Sequence, residues 1–223
     1  MRLKDILFPS RCAICKRLSD KIICDDCFSK ITFIPLPVCE ICGTPISEGR
    51  VCHHCNVERP YFSKARSYAL YQDVMRTAII EFKFHQRIRI GEYLGNLLGE
   101  FALKLDWNID AIVPIPLSKK RLKERGFNQS EIIAKEISKV IKIPVIDGLK
   151  RIKETLPSIE LSPNERRENI HMAFLMTDPK LKAKRVLIVD DVYTTGATIN
   201  EAARTLIKRE VKEVRALTLA REL

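Results

Sequence analysis

Eight cysteines in four identically spaced pairs limit what the first quarter of this chain can fold into: Cys12/Cys15, Cys24/Cys27, Cys39/Cys42 and Cys52/Cys55. Two cysteines separated by two residues turn both sulfurs toward one ion from a tight knuckle. Two such knuckles supply the four thiolates of a tetrahedral zinc site. The 8 residues between the first two pairs and the 9 between the last two suit short hairpins, and the 11 between the second and third pairs read as a spacer. The expectation is two sequential zinc ribbons, Cys12, Cys15, Cys24 and Cys27 followed by Cys39, Cys42, Cys52 and Cys55. Interleaved pairing is disfavoured because it closes longer loops. A disulfide framework suits a small secreted protein, whereas residues 1–8 carry Lys4 and Asp5 within a short apolar stretch and lack the pattern of a signal peptide. Zinc here replaces a hydrophobic core that so short a segment could hardly build. The ribbon module is expected over residues 1–60, with a second domain over 61–223.

With 46% hydrophobic and 30% charged residues, the chain has the composition of a globular protein, which excludes global disorder. No apolar run reaches the ~18–20 residues of a membrane span, so a cytoplasmic location is expected. The 39 Lys and Arg exceed the 28 Asp and Glu by 11. That surplus favours polyanionic partners, nucleic acid or the phosphates of a small ligand, though a solvated lysine-rich surface has the same composition. Residues 1–60 contribute only +2 of it, from 9 cations and 7 anions. Residues 119–167, with 13 and 7, contribute +6.

Beyond Pro60 helical and strand periods alternate. Helices are predicted over 73–84, 91–105, 128–141 and 198–208, the third capped by Asn128 or Ser130. Strands are predicted over 110–116, 144–146, 185–190 and 211–219. Such alternation argues for an α/β fold with a mostly parallel sheet flanked by helices.

The most informative segment is Val186-Leu-Ile-Val-Asp-Asp-Val-Tyr-Thr-Thr-Gly-Ala-Thr198. An apolar strand is read as ending in two carboxylates, followed by a polar loop and a helix. Ligands of parallel sheets sit beyond the carboxyl ends of strands. A helix N-terminus there attracts an anion through free amides and the helix dipole. Thr194, Thr195 and Thr198 add hydroxyls, and Gly196 with Ala197 lets the backbone approach a phosphate monoester. Asp190 and Asp191 suit vicinal hydroxyls as acceptors, so the segment describes a ribose 5-phosphate site. A helix cap without a ligand is the simpler reading of the Asp-Asp pair taken alone.

This segment resembles the signature of type I phosphoribosyltransferases. The whole chain is similar to the ComF family of competence proteins, which join a cysteine-rich zinc module to a phosphoribosyltransferase domain. The similarity runs through the CxxC pairs, Tyr71 to Lys83, Val113 to Leu117 and Arg121-Leu-Lys-Glu-Arg-Gly-Phe-Asn-Gln129. It continues through Leu161-Ser, Glu165 to Asn169, Ala173-Phe174, the signature and Leu217 to Arg221. Ser158 stands where the family usually carries Gln. The resemblance implies the type I phosphoribosyltransferase fold and binding of 5-phosphoribosyl 1-pyrophosphate with Mg2+. It also implies a role in DNA uptake, with single-stranded DNA and uptake proteins as partners. An active transferase is the alternative. By the same resemblance Val113 to Arg125 forms a pyrophosphate loop. Lys119 and Arg125 are then expected in catalysis, and Lys120 and Arg121 in substrate binding. Their dense positive charge suits a pyrophosphate. Arg166 and Arg167 would approach it on closure of the loop over 150–170.

Overall fold

The computed structural model describes residues 10–154 and 163–223, apart from the side chains of 163, 164, 166 and 167. Ser158 and the side chains of Arg166 and Arg167 therefore lie outside the described residues.

The ribbons contribute two short helices, α1 (Asp25–Phe28) and α2 (His53–Val57), each starting directly after a cysteine. The rest runs β1 (Lys64–Leu70), α3 (Asp73–Phe84), α4 (Ile88–Leu105), β2 (Ala111–Pro114), α5 (Lys119–Arg125) and α6 (Gln129–Ile141). Then follow β3 (Leu149–Arg151), α7 (Pro163–Ile170), β4 (Phe174–Met176), β5 (Arg185–Tyr193), α8 (Ala197–Ile207) and β6 (Glu213–Arg221). Four strands form a wholly parallel sheet in the order β1-β6-β5-β2. β3 and β4 pair antiparallel as a separate two-stranded sheet.

Each face of the sheet is covered. Leu187, Val189 and Leu217 pack with Ile79, Leu94, Leu98, Ile133 and Ile137 of α3, α4 and α6. Val186, Ile188, Val214 and Ala216 pack with Ile199, Ala202, Ala203 and Leu206 of α8. This two-sided burial explains why β2 and β5 read as unbroken apolar runs.

The ribbons straddle the free edge of β1. Cys12, Ile23, Cys27 and Ile31 join the first core, whereas Cys39, Ile41, Cys42 and Cys55 join the second. The segment between them runs along β1. Leu70 N donates to Thr32 O at 2.9 Å, Ala65 N donates to Ile41 O at 2.7 Å, and Phe33 bridges to Ala69. An edge strand left open would invite pairing with other chains; here the spacer and the Cys39–Cys42 knuckle cover it.

Several elements differ from expectation. β1 is absent from the sequence reading because its Ala and Ser residues alternate with Lys, Arg and Tyr, a pattern lacking strong hydrophobic contrast. Residues 144–146 form no strand; Val145 makes a single bridge to Ile112. β5 runs three residues past Asp190, because Val192 and Tyr193 pair with Ala220 and Arg221 of β6. Residues 119–125 are helical rather than a loop: Ser118 accepts from Arg121 N as N-cap, and Gly126 ends the helix at φ +81°. Asn128 caps α6, accepting from Ser130 N at 3.1 Å.

Candidate functional site: metal sites and an anion-binding crevice

Each cysteine quartet converges on one point. All four sulfurs of Cys12, Cys15, Cys24 and Cys27 lie within 4.8 Å of one another, as do those of Cys39, Cys42, Cys52 and Cys55. The Cys15 and Cys24 sulfurs are 3.7 Å apart and those of Cys42 and Cys52 are 3.6 Å apart. Four zinc–sulfur bonds of about 2.3 Å in a tetrahedron give edges of about 3.8 Å, whereas a disulfide needs about 2.05 Å. The spacing fits zinc at both sites. Local hydrogen bonds favour the thiolate at Cys15 and Cys39, while burial pushes Cys27 and Cys55 up. A hydrogen bond from Arg17 brings Cys15 down to about 6. At Cys39 burial pushes upward, but backbone N–H groups of Cys52, Cys42 and Ile41 outweigh it and bring the thiol down to about 6. Among the described residues these quartets are the two groups of three or more ligating side chains placed to hold a metal.

The second site lies at the carboxyl end of β5. The loop between strand and helix is only Thr194, Thr195 and Gly196, since Tyr193 is still in β5 and Ala197 opens α8. Gly196 has φ +77°, and a Cβ there would stand 2.2 Å from Tyr193 Oη. Both the backbone conformation and the ring below therefore require glycine. Thr194, Thr195, Ala197 and Thr198 are half-buried around this turn.

The two carboxylates have different surroundings. Asp191 is 5% exposed; its Oδ1 meets Lys83 Nζ at 2.8 Å, while Oδ2 is buried without a hydrogen-bond partner. Asp190 is half-buried, and its Oδ1 accepts from Ser130 Oγ and from Asp191 N, both at 2.9 Å. Burial and the neighbouring Asp191 charge push Asp190 up to about 7, against the opposing pull of Lys83.

Of the predicted cations, α5 separates two groups. Lys119, Lys120 and Lys123 are exposed, and Arg121 and Arg125, one helical turn apart, are half-buried. Arg125 donates to Gln129 Oε1 and lies over the Phe84 ring at 5.4 Å. Burial holds the Arg125 pKa below its usual value, and the Arg121 charge adds to that while Asp191 and Asp190 oppose it. Arg151 on β3 shares this environment: burial first and Arg121 second bring it down to about 10, with Asp190 opposing. Arg121 thus acts on both Arg125 and Arg151, with Asp190 opposing at each, an arrangement that suits a multivalent anion.

The sequence reading does not include Lys83, Ser130 and Arg151 in the site. Lys83 has one signal, its place at the end of the Tyr71–Lys83 segment. Ser130 stands there only as a candidate cap. Arg151 carries none, since the pairing of β3 with β4 that places it leaves no mark in the sequence.

Residues 3–56 match the double zinc ribbon domain and residues 87–223 the phosphoribosyl transferase domain. Competence protein F of Haemophilus influenzae is 31% identical over 229 residues, covering 96% of this chain and 98% of that protein. The chain belongs to the ComF family. Its fold is accordingly the type I phosphoribosyltransferase fold with an N-terminal double zinc ribbon. ComF-family relatives include competence protein ComFC of Bacillus subtilis, 30% identical over 212 residues, with 91% of this chain and 85% of that protein covered. DNA utilization protein YhgH of Escherichia coli K12 is 29% identical over 228 residues, covering 96% and 98%. No helix among the described residues is long and apolar enough to cross a membrane.

Proposed function

We propose that this ComF-family chain binds 5-phosphoribosyl 1-pyrophosphate, or a related ribose 5-phosphate, and assists the handling of single-stranded DNA during DNA uptake in the cytoplasm. The observation that carries the reading is the junction of β5 and α8, where an anion-attracting turn and two adjacent carboxylates meet at the end of a central parallel strand. Backbone amides and hydroxyls of Thr194, Thr195, Gly196, Ala197 and Thr198 hold the 5-phosphate. The adjacent carboxylates of Asp190 and Asp191 accept from the ribose hydroxyls. Arg121 and Arg125, joined by Arg151, bind the pyrophosphate, while Lys119 and Lys120 raise the positive potential at the mouth of the crevice.

The paired carboxylates also fit Mg2+, which is held by one or two carboxylates together with ligand oxygens and water. When bound it would supply further neutralisation of pyrophosphate charge. The protein's own part is positioning: the turn fixes one end of the sugar and the guanidiniums fix the other.

The DNA role draws on the local surplus of positive charge, exposed on α5 at Lys119, Lys120 and Lys123. It also draws on the competence and DNA-utilization roles in the relatives' names. Transfer of the phosphoribosyl group to an acceptor is the alternative, supported by Arg121, Arg125 and Arg151, whose charge suits a departing pyrophosphate.

Calorimetry of the full chain with 5-phosphoribosyl 1-pyrophosphate and Mg2+ tests the reading. Saturable binding is expected, lost when Asp190→Asn and Asp191→Asn are combined with both zinc ions retained. Undiminished affinity in the double variant removes the ribose assignment. Pyrophosphate released with nucleobase, ammonia or DNA present would mark transfer.

A further inference from the structure

The phosphate loop is built against the second zinc ribbon. Two cavities open on the loop: His54 and Cys55 line one of about 200 Å³ together with Thr195 and Gly196, and Cys42 and Cys52 line the other. Among the described residues, the first ribbon contributes to neither.

A buried arginine joins the two structures. Arg221, the last residue of β6, is 3% exposed. Its Nη1 donates to the Cys42 carbonyl at 2.8 Å and its Nη2 to Thr44 Oγ1 at 2.7 Å. Thr44 Oγ1 also lies 3.2 Å from Cys42 Sγ. The guanidinium covers the Tyr193 ring, 4.5 Å from its centroid. Tyr193 in turn packs against Gly196, where there is no room for a Cβ. A zinc-site cysteine, a buried cation, an aromatic ring and the turn that opens α8 thus form one continuous stack.

We infer that Arg221 is a positioning residue that couples metal occupancy of the second ribbon to the phosphate loop. With the second quartet metal-bound, the knuckle at Cys42 and Thr44 is fixed, Arg221 is held by both of its acceptors, and Tyr193 is clamped beneath Gly196. Without the metal the knuckle loosens and the turn loses its support. The inference rests on the ribose-phosphate reading of the loop. Coupling between two sites is reciprocal, so a ligand on the loop must tighten metal binding at the second ribbon by the same factor. The first ribbon packs into the core on the other face of the sheet and is not part of this stack.

The test is equilibrium competition for zinc between the full chain and a chromogenic chelator, with and without 5-phosphoribosyl 1-pyrophosphate and Mg2+, with calorimetry in parallel. Two phases are expected in the competition curve, one shifted about tenfold toward higher chelator by the sugar phosphate and the other unchanged. Cys24→Ser, which disables the first site, keeps the shifted phase; Cys52→Ser keeps only the unshifted one. Thr44→Val removes one acceptor of Arg221 while leaving all thiolates and the loop in place. It should cut the shift below about twofold and weaken binding severalfold. Binding by the wild-type chain with both phases unaltered overturns the coupling, as does the full shift in Thr44→Val. Absence of binding by the wild-type chain removes the ribose-phosphate reading itself, and the coupling with it.

Discussion

Lys83 Nζ stands 2.8 Å from Asp191 Oδ1, and only 17% and 7% of the two side chains are exposed. The C-terminal turn of α3 thereby carries a cation to the central strand β5. In a buried pair, losing one partner leaves the other charged without compensation.

Lys83→Met is expected to destabilise the chain by about 3–5 kcal/mol. Adding Asp191→Asn to it should recover much of that loss, because no lone charge then remains. Urea unfolding of the wild type, both single variants and the double variant measures the coupling. Additive single effects would dissolve the pair as an energetic unit.

Asp190 makes stability pH-dependent. Its folded value, about 7, lies above the ordinary 3.8. The folded state therefore holds this proton more tightly than the unfolded chain. The contribution is fully present below about pH 4 and is lost as pH rises through about 7. Asp190→Asn should accordingly gain on the wild type between pH 5 and 8 in thermal unfolding. The same deprotonation creates the charged acceptor, so affinity for the sugar phosphate should rise across pH 7 in the wild type.

Gly196→Ala places a methyl group against Tyr193 and demands φ +77° of an alanine. A cost of about 1–3 kcal/mol in folding is expected, with at least a tenfold loss of sugar-phosphate affinity by calorimetry. Zinc content, measured by metal analysis, should stay at two ions. Wild-type affinity in this variant would place the phosphate elsewhere.

Lys119, Lys120 and Lys123 are exposed on one short helix. Replacing all three with Ala should flatten the salt dependence of single-stranded DNA binding by roughly two in the slope of log K against log salt. An unchanged slope, read from titrations at several salt concentrations, would move the DNA contact off α5.

Much of the fold can be read locally. The helix predicted over 73–84 matches Asp73–Phe84, because Met75, Ile79 and Phe82 repeat at a helical period and all face the core. The signature segment likewise announces a strand, a turn and a helix. The length of β5 could not be read this way: Val192 and Tyr193 are strand residues only because β6 extends beside them to Arg221. The β3–β4 pair has three residues per strand, too few for any period to show.

Cysteine spacing by itself determined both metal quartets, since each knuckle is closed by chain neighbours. The run from Lys119 to Arg125 likewise determined where positive charge concentrates. Only the tertiary structure decided which ribbon borders the turn between β5 and α8, that Lys83 neutralises Asp191, and that Arg221 reaches Cys42 across 179 positions. Spacing and periodicity act over a few residues. Those contacts depend instead on the strand order β1-β6-β5-β2, which sets distant segments side by side and lets the ribbons close over the exposed edge.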